Sequence, residues 1–159
     1  MKQELEEIKP LEGLGPLKFG MSRDEVREIM GEPNDVDTYS FSEDGEDKSE
    51  SWHYDEEQVS MSFDEDDDYR LITLAVSGEG YKLKGRALVN MSRTAVIEFL
   101  NENGITDLSF EDADTIDMPN HELISAPQLF LNVWLEKESV KEVQWSPEFT
   151  DDDEVNWPD

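Results

Sequence analysis

Gly20-Met21-Ser22-Arg23-Asp24-Glu25-Val26-Arg27-Glu28-Ile29-Met30 is echoed seventy positions later by Asn90-Met91-Ser92-Arg93-Thr94-Ala95-Val96-Ile97-Glu98-Phe99-Leu100. Met, Ser, Arg, Val and Glu recur in register, and Ile29-Met30 becomes Phe99-Leu100. At the same spacing, Gln58-Val59-Ser60-Met61-Ser62-Phe63 lines up with Gln128-Leu129-Phe130-Leu131-Asn132-Val133. A repeated helix start followed by a repeated strand predicts two copies of one αβ unit.

The residues of the phrase have folding tasks. Ser22 is an N-cap with Glu25 three residues on, a capping box, and Met21 with Val26 forms a hydrophobic staple. Asp24 and Glu25 suit the positive end of the helix dipole. Val26, Ile29 and Met30 give the i, i+3, i+4 apolar face, and Gly31 with Pro33 stops the helix. The second copy keeps Met91, Ser92 and Val96 but has Ala95 in place of Glu25, so its box is incomplete; Asn103-Gly104 ends it.

Strand patterns follow each helix. The first copy has them at Tyr39 to Phe41, Ser51 to Tyr54, Val59 to Phe63 and Leu71 to Val76. The second has them at Thr106 to Phe110, His121 to Ile124, Gln128 to Leu135 and Val140 to Trp145. Val59, Met61 and Phe63 alternate with serines, as Leu129, Leu131 and Val133 alternate with Phe130, Asn132 and Trp134, the mark of a half-buried strand. The expected fold class is α+β: two tandem repeats of a short helix and an antiparallel meander, the helices packed on one sheet face. The expected division is an N-terminal segment (1–13), a first repeat (14–80) jointed at Ser77-Gly78-Glu79-Gly80, a second repeat (81–150) and an acidic tail (151–159). The tail is expected to fray, with Trp157 available to dock, and Ser42 to Glu50 reads as an acidic loop.

Gly20-Met21-Ser22, Val26 and Met30-Gly31-Glu32-Pro33 together resemble the helix-start signature of the small lipoproteins of the outer-membrane barrel-assembly machinery and their relatives, which share the fold of β-lactamase inhibitory protein. The resemblance implies short helices on an antiparallel sheet and, in the two-copy inhibitory protein, a concave protein-binding face. The second copy departs from the pattern, with Asn90 for Gly20 and Asn101-Glu102-Asn103 for Gly31-Glu32-Pro33. The lipoprotein signal and lipid-bearing cysteine are also missing here, so the soluble two-copy binding protein is the nearer analogue.

Composition narrows the function. Forty-one acidic residues against thirteen basic ones give a formal net charge of −28 in a chain of 159 residues. Such a surface works against nucleic-acid phosphates and anionic membranes. There are no cysteines, so disulfides, thiolate metal sites and a cysteine nucleophile are excluded. The first ten residues lack the apolar core of a signal peptide, and a cytoplasmic location is the expectation. His53 and His121 are the two groups that ordinarily titrate near neutrality. Each reads either as a general base or metal ligand, or as a solvent-facing or cross-strand packed histidine. Asp64, Asp66 and Asp68 alternate like a calcium loop, but Tyr69 and Ala75 stand where an EF-hand needs Gly and Glu. No catalytic motif, metal site or cofactor site is expected.

Between Asp35 and Asp68 fifteen acidic residues face one base, Lys48. A field of that sign attracts and steers a basic partner. The residues expected to carry it are Glu43, Asp44, Glu46, Asp47, Asp55, Glu56, Asp64, Asp66, Asp67 and Asp68. Trp52, Tyr54 and Trp134 are the expected aromatic anchors. The function these features suggest is a bacterial immunity protein that plugs the basic cleft of a nuclease-type toxin, acting as a monomer or weak dimer. The alternatives are an inhibitor or adaptor of a non-nuclease protein and, last, a divalent-ion-dependent enzyme.

Overall fold

A computed structural model describes residues 6–40, 48–65, 68–112, 121–150 and 155–157. The chain is α+β, with two α-helices and predominantly antiparallel sheets among these residues. Short strands β1 (Glu7–Lys9), β2 (Gly13–Leu14) and β3 (Leu17–Lys18) precede helix α1 (Arg23–Met30). Then come β4 (Asp35–Ser40), β5 (Lys48–Tyr54), β6 (Val59–Asp64) and β7 (Arg70–Val76). The hairpin β8 (Lys82–Leu83) and β9 (Arg86–Ala87) leads into α2 (Arg93–Glu102). It is followed by β10 (Ser109–Asp112), β11 (His121–Ala126), β12 (Leu131–Glu136) and β13 (Ser139–Trp145), and the described chain closes with β14 (Glu148–Phe149) and β15 (Val155–Asn156).

The helix starts form as the sequence dictates. Ser22 Oγ accepts from the Glu25 backbone N–H, and the Glu25 carboxylate accepts from the Ser22 N–H at 3.0 Å, which closes the capping box. Ser92 Oγ caps the Ala95 N–H at 3.1 Å with no reciprocal partner, because Ala95 has no carboxylate. Gly31 ends α1 at φ 81°, a conformation that costs a residue without Cβ little.

The large sheet has the strand order β10-β11-β12-β13-β7-β6-β5-β4, with β7 and β13 antiparallel at its centre. Its register sorts the side chains into rows. Trp52, Met61, Leu74, Trp145, Leu131 and Ala126 are cross-strand neighbours in succession, and all are buried. So are Tyr54, Val59, Val76, Val143, Val133 and Ile124. Val26 and Met30 of α1 and Val96, Phe99 and Leu100 of α2 belong to the same apolar cluster. The opposite face carries a polar row across all eight strands: Asp35, His53, Ser60, Ala75, Gln144, Asn132, Ser125 and Ser109. The period-two alternation of the sequence is thus the two faces of this sheet.

The second sheet, β3-β2-β1-β8-β9, contains the parallel pair β1–β8. Gly13 is held where a Cβ would lie 2.0 Å from the Leu17 carbonyl oxygen, so this tight hairpin requires glycine. The buried Trp145 indole donates to the Gly13 carbonyl at 3.0 Å and ties the small sheet to the centre of the large one.

Three expectations need correction. Gln128 and Leu129 lie in a 3-10 turn, Pro127–Leu129, and Phe130 is left-handed at φ 49°, so β12 starts only at Leu131. Pro127, which has no N–H to give a ladder, stands at the start of that turn. Lys48 to Glu50 belong to β5 rather than to the acidic loop; residues 41–47 lie outside the described residues. In the tail, Val155 pairs with Phe149, and Trp157 packs on the core beside Gly20 with the Arg70 guanidinium 5.4 Å from its ring.

Candidate functional site

The acidic end of the large sheet is built by β4, β5 and β6. His53 projects from β5 on the polar face between its register partners Asp35 and Ser60. Its Nδ1 lies 2.9 Å from Ser60 Oγ and its Nε2 3.0 Å from Asp37 Oδ2. Asn34 fixes the adjoining turn, its N–H donating to the His53 carbonyl and its Oδ1 accepting from the Asp55 N–H, each at 2.8 Å. Around the imidazole is an open depression of about 530 Å³, lined by Asp35, Asp37, Asp55, Gln58, Ser60 and Ser77 among others.

An Asp-His-Ser chain of this kind is the ingredient list of nucleophilic catalysis. Its surroundings argue for a different chemistry. Acyl transfer needs donors aimed at a developing oxyanion, whereas this depression is lined by three carboxylates. Negative walls raise the energy of an oxyanion and lower that of a guanidinium or ammonium group. The hydrogen bonds of His53 to Ser60 and Asp37 hold the imidazole in place among these carboxylates.

The sequence-derived site residues do not form one patch. Asp55 and Glu56 are exposed at the β5–β6 turn beside the depression. Asp64 and the exposed Asp68 stand at the other end of β6, a strand length of roughly 17–20 Å away. Asp64 is half-buried and accepts from Ser49 Oγ at 2.7 Å. Asp68 and Tyr69 both take positive φ in a tight turn held by hydrogen bonds to Glu65 and Asp64. Glu43, Asp44, Glu46, Asp47, Asp66 and Asp67 lie outside the described residues. Among the described residues no group of three or more His, Asp or Glu side chains is placed to hold a metal ion.

Two of the three aromatic anchors are corrected by burial. Trp52 is 1% exposed and Tyr54 3%. The Trp52 indole donates to Glu50 Oε1 at 2.6 Å, and its ring lies 4.7 Å from that of Phe63 and under the Arg27 guanidinium. Tyr54 donates to the Gly31 carbonyl at 2.9 Å, and burial pushes its phenol up to about 12. Both are core residues, and Asp55, next in sequence to Tyr54, lies beyond the end of β5 in an exposed turn. Trp134 is half-buried on the polar face of β12, between Leu123 and Glu142, and donates to Gln144 at 3.3 Å. Burial raises the Glu142 carboxyl above the ordinary glutamate range. Trp134 thus sits in the β10–β13 half of the sheet, away from the acidic depression. His121 lies in β11, opposite Glu136.

Sequence reasoning missed two ion pairs. Arg23, directly after the Ser22 cap, reaches Glu50 of β5 at 3.1 Å and covers the Tyr69 ring. Arg93, directly after the Ser92 cap, reaches Glu122 of β11 at 2.7 Å and covers the Phe110 ring. The recurrence of Arg in the repeated Met-Ser-Arg was the available signal.

No family model and no curated protein matches the chain. Among solved structures, an extracellular protein containing a SCP domain from Bacillus anthracis str. Ames is similar at a TM-score of 0.48 and 17% identity, over 82% of this chain and 44% of that one. This chain therefore spans less than half the length of that protein. The fold and surface define an α+β protein with predominantly antiparallel sheets and a strongly acidic end. None of the helices among the described residues is long and apolar enough to cross a membrane.

Proposed function

We propose that this chain is a binding protein for a basic partner protein, in the manner of an immunity protein that blocks the cationic cleft of a nuclease-type toxin in the cytoplasm. The observation that carries the proposal is the depression around His53, where Asp35, Asp37 and Asp55 converge and neither Lys nor Arg is among the lining residues. A nuclease cleft is cationic because it holds phosphates, so an acidic surface competes for the same groups. Charge brings the partner in and raises the association rate; shape and hydrogen bonding at the sheet hold it.

The same proposal includes the architecture: two copies of one αβ unit, similar to the arrangement in β-lactamase inhibitory protein, with their helices on one face of a shared sheet. Several paired observations support it. Gly20 N–H donates to Leu71 O and Leu71 N–H to Met21 O, as Asn90 N–H donates to Val140 O and Val140 N–H to Met91 O. The register shifts at Ser62/Phe63 and at Trp134/Leu135. Arg23–Glu50 and Arg93–Glu122 link each helix start to the second strand after it.

The test is affinity capture at low salt followed by a high-salt wash, with association rates measured across that range. A stoichiometric basic partner whose on-rate falls steeply with salt is the expected result. Binding undiminished at about 1 M salt, where the Debye length is near 3 Å, would remove the steering mechanism. The half-buried Trp134 favours one further reading, a non-nuclease target held by the polar sheet face. Charge reversal at Asp35, Asp37 and Asp55 separates the two: it abolishes capture in the first reading and leaves it nearly intact in the second.

A further inference from the structure

We infer that the free edge of β4 is a docking strand for an extended basic segment of the partner, which adds to the large sheet by backbone pairing. The inference rests on the basic-partner reading above and specifies how the partner is held. Among the described residues β4 ends the strand order and pairs with β5 on one side only. The Val36 N–H donates to the Asp35 carboxylate at 3.0 Å, and the carbonyl of His53, the register partner of Asp35, faces β4 and accepts from the Asn34 N–H. Val36 and, by the antiparallel alternation, Thr38 therefore turn their backbone groups away from the sheet. Those groups are what an added strand pairs with.

The side chains of this edge state what can pair there. Asp35 and Asp37 are exposed, opposite His53 and Ser51. Val36 belongs to the other face, opposite the buried Trp52, and is 45% exposed, one of two large apolar side chains so exposed among the described residues. A second copy of this chain pairing here would set carboxylate against carboxylate, the usual protection of an edge from self-association. A strand with Lys or Arg opposite Asp35 and Asp37 meets opposite charge instead, and an apolar residue opposite Val36 covers it. The adjoining depression offers the same cations a third carboxylate, that of Asp55. The other exposed apolar residue, Phe110 on the β10 edge, already has the Arg93 guanidinium 5.3 Å from its ring. A basic segment has less to gain there.

The probe is a short peptide alternating Lys and Val, compared with a Lys-Pro peptide of equal charge that cannot form a strand, both titrated into the full chain by fluorescence anisotropy at low salt. Wild type should bind the Lys-Val peptide at least about tenfold more tightly than the Lys-Pro peptide. Thr38→Pro removes an outward N–H without touching the β4–β5 ladder and should abolish that preference, while Asp64→Asn/Asp68→Asn, at the far end of β6, should leave it. Equal binding of both peptides, or a preference that survives in a folded Thr38→Pro variant, overturns the edge inference and leaves the basic-partner reading standing. Should Thr38→Pro fail to fold, the two-peptide comparison on wild type decides alone. Loss of the basic-partner reading itself would show as capture with no salt-sensitive basic protein, whatever the peptides do.

Discussion

Replacing Trp145 by Phe tests whether the small sheet is tied to the large one as described. Trp145 is 1% exposed at the centre of the core row, and its indole N–H donates to the Gly13 carbonyl across 132 positions of sequence. Phenylalanine keeps the apolar ring and removes the donor, so the buried Gly13 oxygen loses the indole. An acceptor stranded that way costs about 1–3 kcal/mol, and the smaller ring adds on the order of 1 kcal/mol of lost packing. The total, about 2–4 kcal/mol, is a large share of the roughly 5–15 kcal/mol that holds a domain together. At roughly 2–4 °C per kcal/mol for a chain of this length, Tm should fall by about 4–16 °C. Urea unfolding followed by circular dichroism measures the loss, and Trp134→Phe is the control. That indole is half-buried and its bond to Gln144 is long, 3.3 Å, so its loss should stay within about 0.5 kcal/mol. If Trp145→Phe costs no more than Trp134→Phe, water reaches Gly13 and the small sheet is not docked on β13.

Glu142→Gln should raise Tm at neutral pH, because burial disfavours the charged form of the carboxyl and Gln has no charged form. The sign follows from linkage: burial raises the folded-state pKa, so stability is highest below the ordinary glutamate value and falls as pH rises through the folded one. The advantage of Gln should vanish in acid, and an advantage that grows there would be the wrong sign. Tyr54 and Tyr81, whose phenols donate to the Gly31 and Glu57 carbonyls, are both pushed up to about 12 by burial. Stability should therefore decline as pH rises from 10 towards 12. Ultraviolet titration should show both phenols ionising only as the chain unfolds, and Tyr54→Phe should shallow the decline.

The capped helix starts and the alternation of Val59 to Phe63 were legible because each rests on local chemistry. Ser22 and Glu25 meet within one turn, and a strand has only two faces. What was not legible depended on distance. Trp52 and Asp55 are three residues apart in sequence, yet one is core and the other surface; only the cross-strand register with Met61 and Val36 settles which face is inward. The Arg23–Glu50 pair spans a helix start and a strand, so no window of helical or strand period contains both. The start of β12 was misplaced because Gln128-Leu129 matched Gln58-Val59 in apolar pattern, while the Pro127 beside them closes a turn there.

The placement of charge bears on how a partner could be held. On the polar face, the row that crosses all eight strands has one carboxylate, Asp35, at its β4 end, and is otherwise His, Ser, Ala, Gln and Asn. Asp55, Glu56, Asp64 and Asp68 stand at strand ends and turns. Charges spread that way repel one another less than charges stacked on adjacent strands, where like pairs are directly opposed. They also act on a partner at a distance, while the small uncharged side chains between them allow close approach without desolvating carboxylates, which would be costly. In a complex formed on this surface, acids at the turns govern the association rate and its salt dependence, and the β4 edge or the polar face governs the lifetime. Neutralising Asp64 and Asp68 should thus slow association and leave dissociation nearly unchanged, a division that stopped-flow mixing of the captured partner resolves directly. Equal changes in both rates would mean that these turn residues are in contact with the partner.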